Sequence, residues 1–228
     1  MKTVFGTGSR VLRTVECAAL FVDVRRSSQI VRFVEGHHGP QAVAELFNGF
    51  LVGCMRRLKR PSIGECRPSG DAVLATFGGR RRVGDSVRAA FDAIRFVDDE
   101  VNVVYRDLLT CRGECGDPAC PGTMRLDVGA GIDDGVVTVS SLPGQGWPHE
   151  ELAGRCVSYA AKLSDAARAP FYIAMSAQVY QRERPPCAGS YAWRRHVATV
   201  GSEERAVVVA ERTAAAEGTD LCVGLTCG

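Results

Sequence analysis

The sequence lacks long apolar runs, a signal-like leader and any large excess of one charge. No apolar run approaches the ~20 residues that a membrane-spanning helix needs, and charged residues stand where a secretory signal would be apolar. The formal charge of +2 gives no electrostatic reason to expect nucleic acid or a membrane surface as a partner. These absences predict a cytoplasmic protein that binds neither.

Internal repeats are also absent, and the 228 residues fall within the range of a single α/β domain. Apolar residues make up 46% of the chain, which is enough for a full core. We predict an N-terminal leader over residues 1–16, one folded domain over residues 17–212 and a flexible C-terminal tail over residues 213–228.

Cysteine, in contrast, is abundant, with ten residues that a cytosolic setting would keep mostly reduced. Four of them lie in apolar surroundings and are predicted to be small core residues: Cys17, Cys54, Cys66 and Cys156. Cys111, Cys115 and Cys120 lie instead in a Gly/Pro/Asp-rich insertion over residues 111–122. Three thiolates could hold zinc if a fourth ligand came from elsewhere, but the spacing is not the usual C-x2-C. Zinc binding, disulfides and free thiols all stay open.

Apolar periodicity predicts the secondary structure. Helices are expected over residues 27–36 with Ser27-Ser28 as N-cap, and over residues 40–60, 85–109, 154–169 and 176–182. Strands are expected over residues 17–24, 63–77 (a hairpin), 126–132, 136–140, 171–175, 191–200 and 204–211, with Asp133-Asp134-Gly135 as a turn. The order βααββαββαβαββ is typical of an α+β sandwich with a ferredoxin-like βαββαβ core, in which helices cover an antiparallel-rich sheet.

Two aspartates stand at the ends of apolar strands. Asp23 closes the run over residues 17–22, and Asp71 lies at or near the turn of the first hairpin. An ionised carboxylate in such a place is costly unless it is paired, and two together repel each other unless a divalent metal joins them. The pair therefore predicts a two-metal phosphoryl-transfer site. The alternative is a helix cap and an ordinary turn residue.

Four stretches of the chain, read together, resemble the class III nucleotidyl cyclases. They span residues 17–210 in the family's order: Phe21-Val22-Asp23-Val24-Arg25-Arg26-Ser27-Ser28, Arg67-Pro68-Ser69-Gly70-Asp71, Val128-Gly129-Ala130-Gly131-Ile132 with Gly135-Val136-Val137, and Gly154-Arg155-Cys156-Val157-Ser158-Tyr159-Ala160-Ala161-Lys162-Leu163. The resemblance implies a class III cyclase-type sandwich and makes residues 17–212 a catalytic domain.

The resemblance also implies residue roles. Asp23 and Asp71, with Val24, would bind two Mg²⁺ or Mn²⁺ ions, so that the ribose 3′-hydroxyl attacks the α-phosphate and pyrophosphate leaves. Backbone amides at the start of the first helix would bind the β- and γ-phosphates; they belong to Val24, Arg25, Arg26, Ser27 and Ser28.

Two positions that read the base in the family are altered here. They fall on Arg67, where adenylate cyclases have Lys and guanylate cyclases Glu, and on Glu151. Because Arg is a bulkier planar fork than Lys, a one-ring base is favoured. Arg67 could donate to a uracil carbonyl while Glu151 accepts from N3–H, although adenine or cytosine amines would also satisfy Glu151. Surface charge is the alternative for both residues.

The family's ribose-orienting Asn and transition-state Arg correspond to Ser158 and Lys162, one helical turn apart. Lys162 would act catalytically as a point charge without a bidentate fork, or it is an ordinary solvated lysine. The family's late phosphate-binding Lys has no clear counterpart, since the last hairpin offers only Arg205.

A free-standing cyclase domain with altered base-reading positions looks most like the bacterial pyrimidine cyclases of antiphage defence. The resemblance implies that UTP is converted to cyclic UMP, which a separate effector reads. It also implies a homodimer, since the metal aspartates and the base-reading and transition-state residues come from opposite subunits. The alternatives are a cytidylate or adenylate cyclase, or an inactive nucleotide-sensing dimer module.

Overall fold

A single mixed sheet of eight strands organises the chain. The computed structural model describes residues 12–111, 113, 115–142, 149–168, 170–182, 191–200 and 202–212, so residues 1–11 of the predicted leader and the predicted tail lie outside it. The strands are β1 Leu12–Val24, β2 Ile63–Ser69, β3 Ala72–Phe77, β4 Val128–Leu142, β5 His149–Ala153, β6 Phe171–Ser176, β7 Tyr191–Val200 and β8 Glu203–Arg212. The helices are α1 Ser27–His38, α2 Pro40–Arg57, α3 Arg82–Phe96, α4 Asn102–Val104, α5 Arg155–Ala166 and α6 Ala177–Arg182, with a π-helical turn Val97–Val101 joining α3 to α4.

The strand order confirms the predicted fold class. Neighbouring strands run β2-β3-β1-β4-β6-β8-β7, with β5 paired to β4 outside this path. The first four strands are mutually antiparallel in the order β2-β3-β1-β4, which is the arrangement of a ferredoxin-like core. Strand β6 then adds to β4 in parallel, and the hairpin of β7 and β8 completes the sheet.

The prediction of a turn at Asp133-Asp134-Gly135 is wrong. The structure has one continuous strand, β4, through these residues, and β1 pairs with it from Val128 to Ser140. Asp134 is tolerated in a strand because its buried carboxylate accepts hydrogen bonds from Arg82 (Nε to Oδ1, 2.6 Å) and from Arg182. A buried charge that is fully paired does not need a solvent-exposed turn.

Other element boundaries differ more modestly from the predictions. Strand β1 begins at Leu12 rather than at residue 17, because the last residues assigned to the leader pair with β4. Helix α1 is capped by Arg26 in a left-handed conformation, without a side-chain cap hydrogen bond, so Ser27-Ser28 is not its N-cap. The single helix predicted over residues 85–109 is instead a continuous helical segment made of α3, the π turn and α4, and it ends at Val104.

The sheet is covered on both faces. Alternate residues of β1, represented by Leu20 and Val22, pack in the main core with α1, α2 and α3. The intervening residues Cys17 and Ala19 pack with α5 through Cys156 and Ala160 in a smaller cluster. Asp23 shares its side of β1 with Cys17 and Ala19, so the pleat places it on the α5 face of the sheet. Within the part of the chain that the structure describes, no helix is long and apolar enough to cross a bilayer.

Candidate active site

Asp23 and Asp71 meet at one end of the sheet. Asp23 lies on β1 with its Cα opposite Ala72 of β3, the residue that follows Asp71. Asp71 itself is the second residue of a two-residue hairpin turn between Ser69 and Ala72, and Gly70 supplies the positive φ of 66° that this turn requires. The local hairpin and the pairing of β1 with β3 together bring the two carboxylates to the same place.

The raised pKa of Asp23 reflects its burial and its position beside Asp71. Its side chain is 24% exposed, and the pKa of Asp23 is raised to about 6. Burial is the largest cause of the rise, the charge of Asp71 is the next, and the charge of Arg25 opposes both. Asp165, near the end of α5, also contributes to the rise. Asp23 therefore lies in an excess of negative charge, where a divalent cation would be stabilised.

Arg25 is the cation that the protein itself provides beside this carboxylate. Its side chain is 11% exposed, and Nη1 lies 3.8 Å from Asp23 Oδ2. Nη2 donates to the carbonyl oxygens of Ser164 and Ala167 (2.7 Å to the latter) at the end of α5. Burial lowers the pKa of Arg25, while Asp23 and other carboxylates raise it. Arg25 therefore links β1, Asp23 and α5.

The Arg25 amide does not serve as the predicted phosphate donor. It donates instead to the carbonyl of Asp127 at 2.8 Å, which extends the pairing of β1 with β4 by one residue. The structure thus assigns both the amide and the guanidinium of Arg25 to internal contacts. The prediction that the Arg25 amide binds phosphate is therefore corrected, because that amide is already hydrogen-bonded.

The remaining predicted phosphate-binding residues form the connection from β1 to α1. Val24 is buried opposite Val128, and Arg26 turns the chain with φ 53°. Helical hydrogen bonding begins with the amides of Gln29 and Ile30, which both donate to the Arg26 carbonyl. Helix geometry leaves the amides of the preceding first turn, those of Ser27 and Ser28, as donors for a ligand.

One cavity joins this first turn of α1 to the turn that carries the second aspartate. Its volume is about 530 Å³, and Ser27, Ser28, Gly70 and Asp71 lie along its wall. The rest of the wall consists of Arg32 and of four apolar residues of α1 and α2: Val31, Val43, Phe47 and Leu51. Among the predicted site residues, the structure therefore places Asp71 in a cavity with the two serines, and the sheet register places Asp71 beside Asp23, which does not line the cavity.

Arg67 lies on the same face of the sheet as Asp23. It is opposite Leu74 of β3, which in turn is opposite Phe21, two residues before Asp23. The Nε atom of Arg67 lies 3.0 Å from Oε1 of Glu65. The sequence analysis did not predict this ion pair, although two residues of opposite charge at i and i+2 on a strand lie on the same face. Glu151 lies on β5 with its Cα opposite Ser140, and its side chain is outside the part that the structure describes.

Ser158 and Lys162 lie on the solvent side of α5. Both side chains are exposed and one turn apart, and Asp165 continues the stripe. The opposite side of the helix is buried through Cys156, Ala160, Leu163 and Ser164. Of these three α5 residues, it is Asp165, which the sequence did not single out, whose charge raises the pKa of Asp23 in the same chain. Lys162 is thus exposed on the surface of the chain.

Arg205, the weak candidate for the late phosphate lysine, has contacts of its own. It forms an ion pair with Glu203, and its guanidinium carbon lies 5.7 Å from the centre of the Tyr159 ring. These contacts hold it between β8 and α5. They give no support to a role in phosphate binding.

The fold is shared with solved nucleotide cyclases. No protein-family model matches the sequence, and a search of curated proteins gives no match. Among solved structures, the adenylyl cyclase CyaB from P. aeruginosa is 17% identical, with a TM-score of 0.67 over 89% of this chain and 96% of that chain. A bacterial light-regulated adenylyl cyclase is 20% identical, with a TM-score of 0.65 over 87% of this chain and 52% of that chain.

Guanylyl cyclases have the same architecture. The guanylyl cyclase domain of the RhoGC fusion protein from the aquatic fungus Blastocladiella emersonii, solved as a non-canonical dimer, is 15% identical, with a TM-score of 0.61 over 89% of this chain and 98% of that chain. The same domain has also been solved as a monomer. At these identities the likeness establishes the class III cyclase-type fold.

Proposed function

We propose that this protein is a nucleotidyl cyclase that converts a nucleoside triphosphate, preferentially UTP, to the 3′,5′-cyclic monophosphate and pyrophosphate. The observation that carries the proposal is the meeting of Asp23, on β1, with Asp71, in the hairpin turn before β3, in a cyclase-type fold whose first α1 turn lines a cavity with Asp71. Adenylyl and guanylyl cyclases are among the solved structures that share this fold.

The donor set fits two divalent cations, Mg²⁺ or Mn²⁺. Burial and the charge of Asp71 raise the pKa of Asp23, and carboxylate oxygens are ligands that suit these cations. Val24 would contribute its backbone carbonyl. When bound, the ions would neutralise triphosphate charge and lower the pKa of the ribose 3′-hydroxyl.

The chain's own groups would then bind and orient the substrate. Ser27 and Ser28 line the cavity beside Asp71, and their amides, at a helix N-terminus, would hold the terminal phosphates. Arg26 sets the direction of that turn through its left-handed backbone. Arg25 keeps Asp23 in place while α5 holds Arg25. These contacts would fix the α-phosphate for in-line attack by the 3′-oxygen.

The preference for UTP rests on Arg67. Its guanidinium forms an ion pair with Glu65, which would help to orient it as a donor for a base carbonyl. An Arg in place of a Lys leaves less room for a purine. Glu151, as predicted from the sequence, would accept the N3–H of uracil. As the resemblance to pyrimidine cyclases of antiphage defence implies, the product would be an alarm signal for a separate effector.

Activity would require a homodimer. Ser158 and Lys162 point outward from α5, so their roles toward ribose and the transition-state phosphate would be exercised in a site shared with a second copy. One domain among the similar structures has been solved as a dimer, which is compatible with this arrangement.

A single assay tests the substrate and the reaction. The purified protein with Mn²⁺ is offered ATP, GTP, CTP and UTP separately, and products are identified by mass spectrometry. Cyclic UMP as the main product supports the proposal. Cyclic CMP or cyclic AMP would support cyclisation but overturn the preference, and binding of a nucleotide without turnover would overturn the activity.

Replacing Asp71, the carboxylate at the hairpin turn, is the most direct test of the metal assignment. Asp71→Asn keeps the size of the side chain but removes the charge that would hold the cations, so turnover should fall roughly 100-fold or more, as the loss of a metal contact worth several kcal/mol implies. The exposed Asp99→Asn, on the π turn, is the matched control and should leave turnover unchanged. Full activity in folded Asp71→Asn would contradict the metal assignment.

A further inference from the structure

Four metal-ligating side chains converge at the end of α1 that is farther from Asp23. They are His37, in the last turn of the helix, and Cys111, Cys115 and Cys120 of the loop after α4. One ligand atom from each lies within 4.8 Å of all the others. The His37 Nε2 atom is 3.6 Å from the Sγ of Cys120. The sequence offered three thiols without a fourth ligand, and the fold supplies the fourth from a residue 74 or more positions away.

These separations match a tetrahedral zinc centre. With Zn–S near 2.3 Å and Zn–N near 2.0 Å, tetrahedral angles place two sulfurs about 3.8 Å apart and a sulfur and a nitrogen about 3.5 Å apart. Only a small inward movement would bring all four atoms to these values. We propose that His37, Cys111, Cys115 and Cys120 form a closed Cys₃His zinc site with a structural role.

The loop is already folded around this point. Thr110 and Thr123 form an isolated β-bridge at its base, and the Cys111 amide donates to the Gly122 carbonyl at 2.7 Å. Within the loop, the Cys120 amide donates to the Asp117 carbonyl at 3.0 Å. Three glycines with positive φ make its tight bends: Gly113, Gly116 and Gly122. The described residues between Thr110 and Thr123 belong to no helix or strand, so a bound metal would be a physical reason for the order of this loop.

The donor chemistry selects zinc over the cations expected near Asp23. Three thiolates and an imidazole are borderline-soft ligands that suit Zn²⁺, whereas Mg²⁺ and Mn²⁺ prefer oxygen. A disulfide would use two of the three cysteines and leave a thiol and His37 without a role. The cluster also lies roughly 15 Å from the first turn of α1, because ten residues of helix separate Ser27 from His37. The two metal sites are therefore distinct.

The position of the cluster gives the zinc a structural consequence. His37 belongs to the helix whose first turn lines the cavity beside Asp71, and its ring packs edge-on against Phe33 with centroids 4.6 Å apart. The zinc would tie this helix to the segment that leads into β4. Loss of the metal should therefore lower thermal stability before it affects any single catalytic contact. The inference does not depend on the proposed cyclase activity.

Metal analysis of the full chain tests the proposal. Protein purified under reducing conditions should contain one zinc ion per chain by mass spectrometry of the metals, and Asp23→Asn should keep it. Cys115→Ser should lose it. His37→Ala should release zinc to a chelator faster than the matched His38→Ala, whose ring nitrogen lies 3.3 Å from the Thr110 carbonyl oxygen and is not part of the cluster.

Cobalt replacement supplies a measurement that needs no variant. The metal-free protein loaded with Co²⁺ should show the strong visible and near-ultraviolet absorption of tetrahedral cobalt with thiolate ligands, and Zn²⁺ should displace it and raise the melting temperature. Absence of zinc as purified together with no uptake of Zn²⁺ or Co²⁺ by reduced protein would overturn the proposal. A stable disulfide between two of the three cysteines would also overturn it.

Discussion

At the scale of single residues, the behaviour of the site depends on how Asp23 is neutralised. The protein places one cation, Arg25, next to it, and Arg25 is shared with the end of α5. Asp71 and Asp165 add negative charge. Asp23 is therefore under-compensated in the chain alone, which is the condition in which a bound divalent cation contributes most.

The pH dependence of stability should reveal this charge. Because the pKa of Asp23 is raised from 3.8 to about 6, ionisation costs more in the folded than in the unfolded chain, so the folded state loses stability as pH rises through this range. Without added divalent ions, wild type should lose about 1–2 kcal/mol between pH 5 and 7.5 relative to Asp23→Asn. Urea unfolding at each pH measures the difference. A difference that stays constant with pH would contradict the raised pKa.

Selectivity for the base should depend on Arg67. Arg67→Lys restores the residue that the resemblance associates with adenylate cyclases and leaves more room for a purine. We expect the ratio of kcat/KM for ATP over UTP to rise by about tenfold, the scale on which a pocket contact discriminates. Arg194→Lys, an exposed residue paired with Glu211 on the last hairpin, is the matched control. An unchanged ratio in Arg67→Lys would remove Arg67 from base recognition.

The sequence predicted the surroundings of these residues correctly only where their partners are close in sequence. Asp71 was placed correctly because its turn is made by its immediate neighbours Gly70 and Ala72. The resemblance assigned the Arg25 amide to phosphate, and the sequence around Arg25 gave no sign that this amide pairs with the distant Asp127 carbonyl. His37 was not recognised for the same reason, since nothing near it in sequence indicates a thiol cluster.

At the scale of elements, strand β4 shows why composition alone misled. Its Asp-Asp-Gly run is typical of a turn, but Asp134 is neutralised by Arg82 and Arg182 from two other elements. The predicted element order was still correct, because β5 supplied the strand that the false hairpin had provided. The glycines of β4 have packing roles: Gly131 lies against the backbone of α5, and Gly129 against the guanidinium of Arg25.

Two substitutions on β4 should distinguish effects on folding stability from effects on the candidate site. In Gly131→Ala the new methyl group would overlap the backbone of Ala160 and Ser164, which cannot move alone, so the free energy of unfolding should fall by about 3 kcal/mol. In Gly129→Ala the overlap is with the movable end of Arg25, so stability should fall by only about 1 kcal/mol.

Their activities should follow the opposite pattern. Because Gly129→Ala displaces the cation beside Asp23, it should lose a larger share of turnover than its stability loss explains. Urea unfolding and the cyclase assay, both run at a temperature where Gly131→Ala is still folded, compare the two. Equal losses of stability in both variants would contradict the packing assignment.

At the scale of the whole molecule, the chain carries two groups of site residues that face different ways. Asp23 and Asp71 lie at one end of the sheet, while Ser158 and Lys162 are exposed on α5. A two-fold homodimer would pair the first group of each copy with the second group of the other and create two sites.

Mixing inactive variants tests this arrangement directly. Asp71→Asn and Lys162→Ala would each disable both sites of their own homodimer. In a mixed dimer, one site would contain both defects and the other neither. With random 1:1 exchange, half of the dimers are mixed and each has one intact site, so about a quarter of wild-type activity should return. Asp23→Asn mixed with Asp71→Asn is the matched control, because both changes lie in the same half of the site and no intact site can form. Recovery of activity in the first mixture alone would require a site that two subunits share. If the chains demonstrably exchange and no activity returns, Lys162 and Asp71 lie in the same half of the site, or Lys162 has no catalytic role.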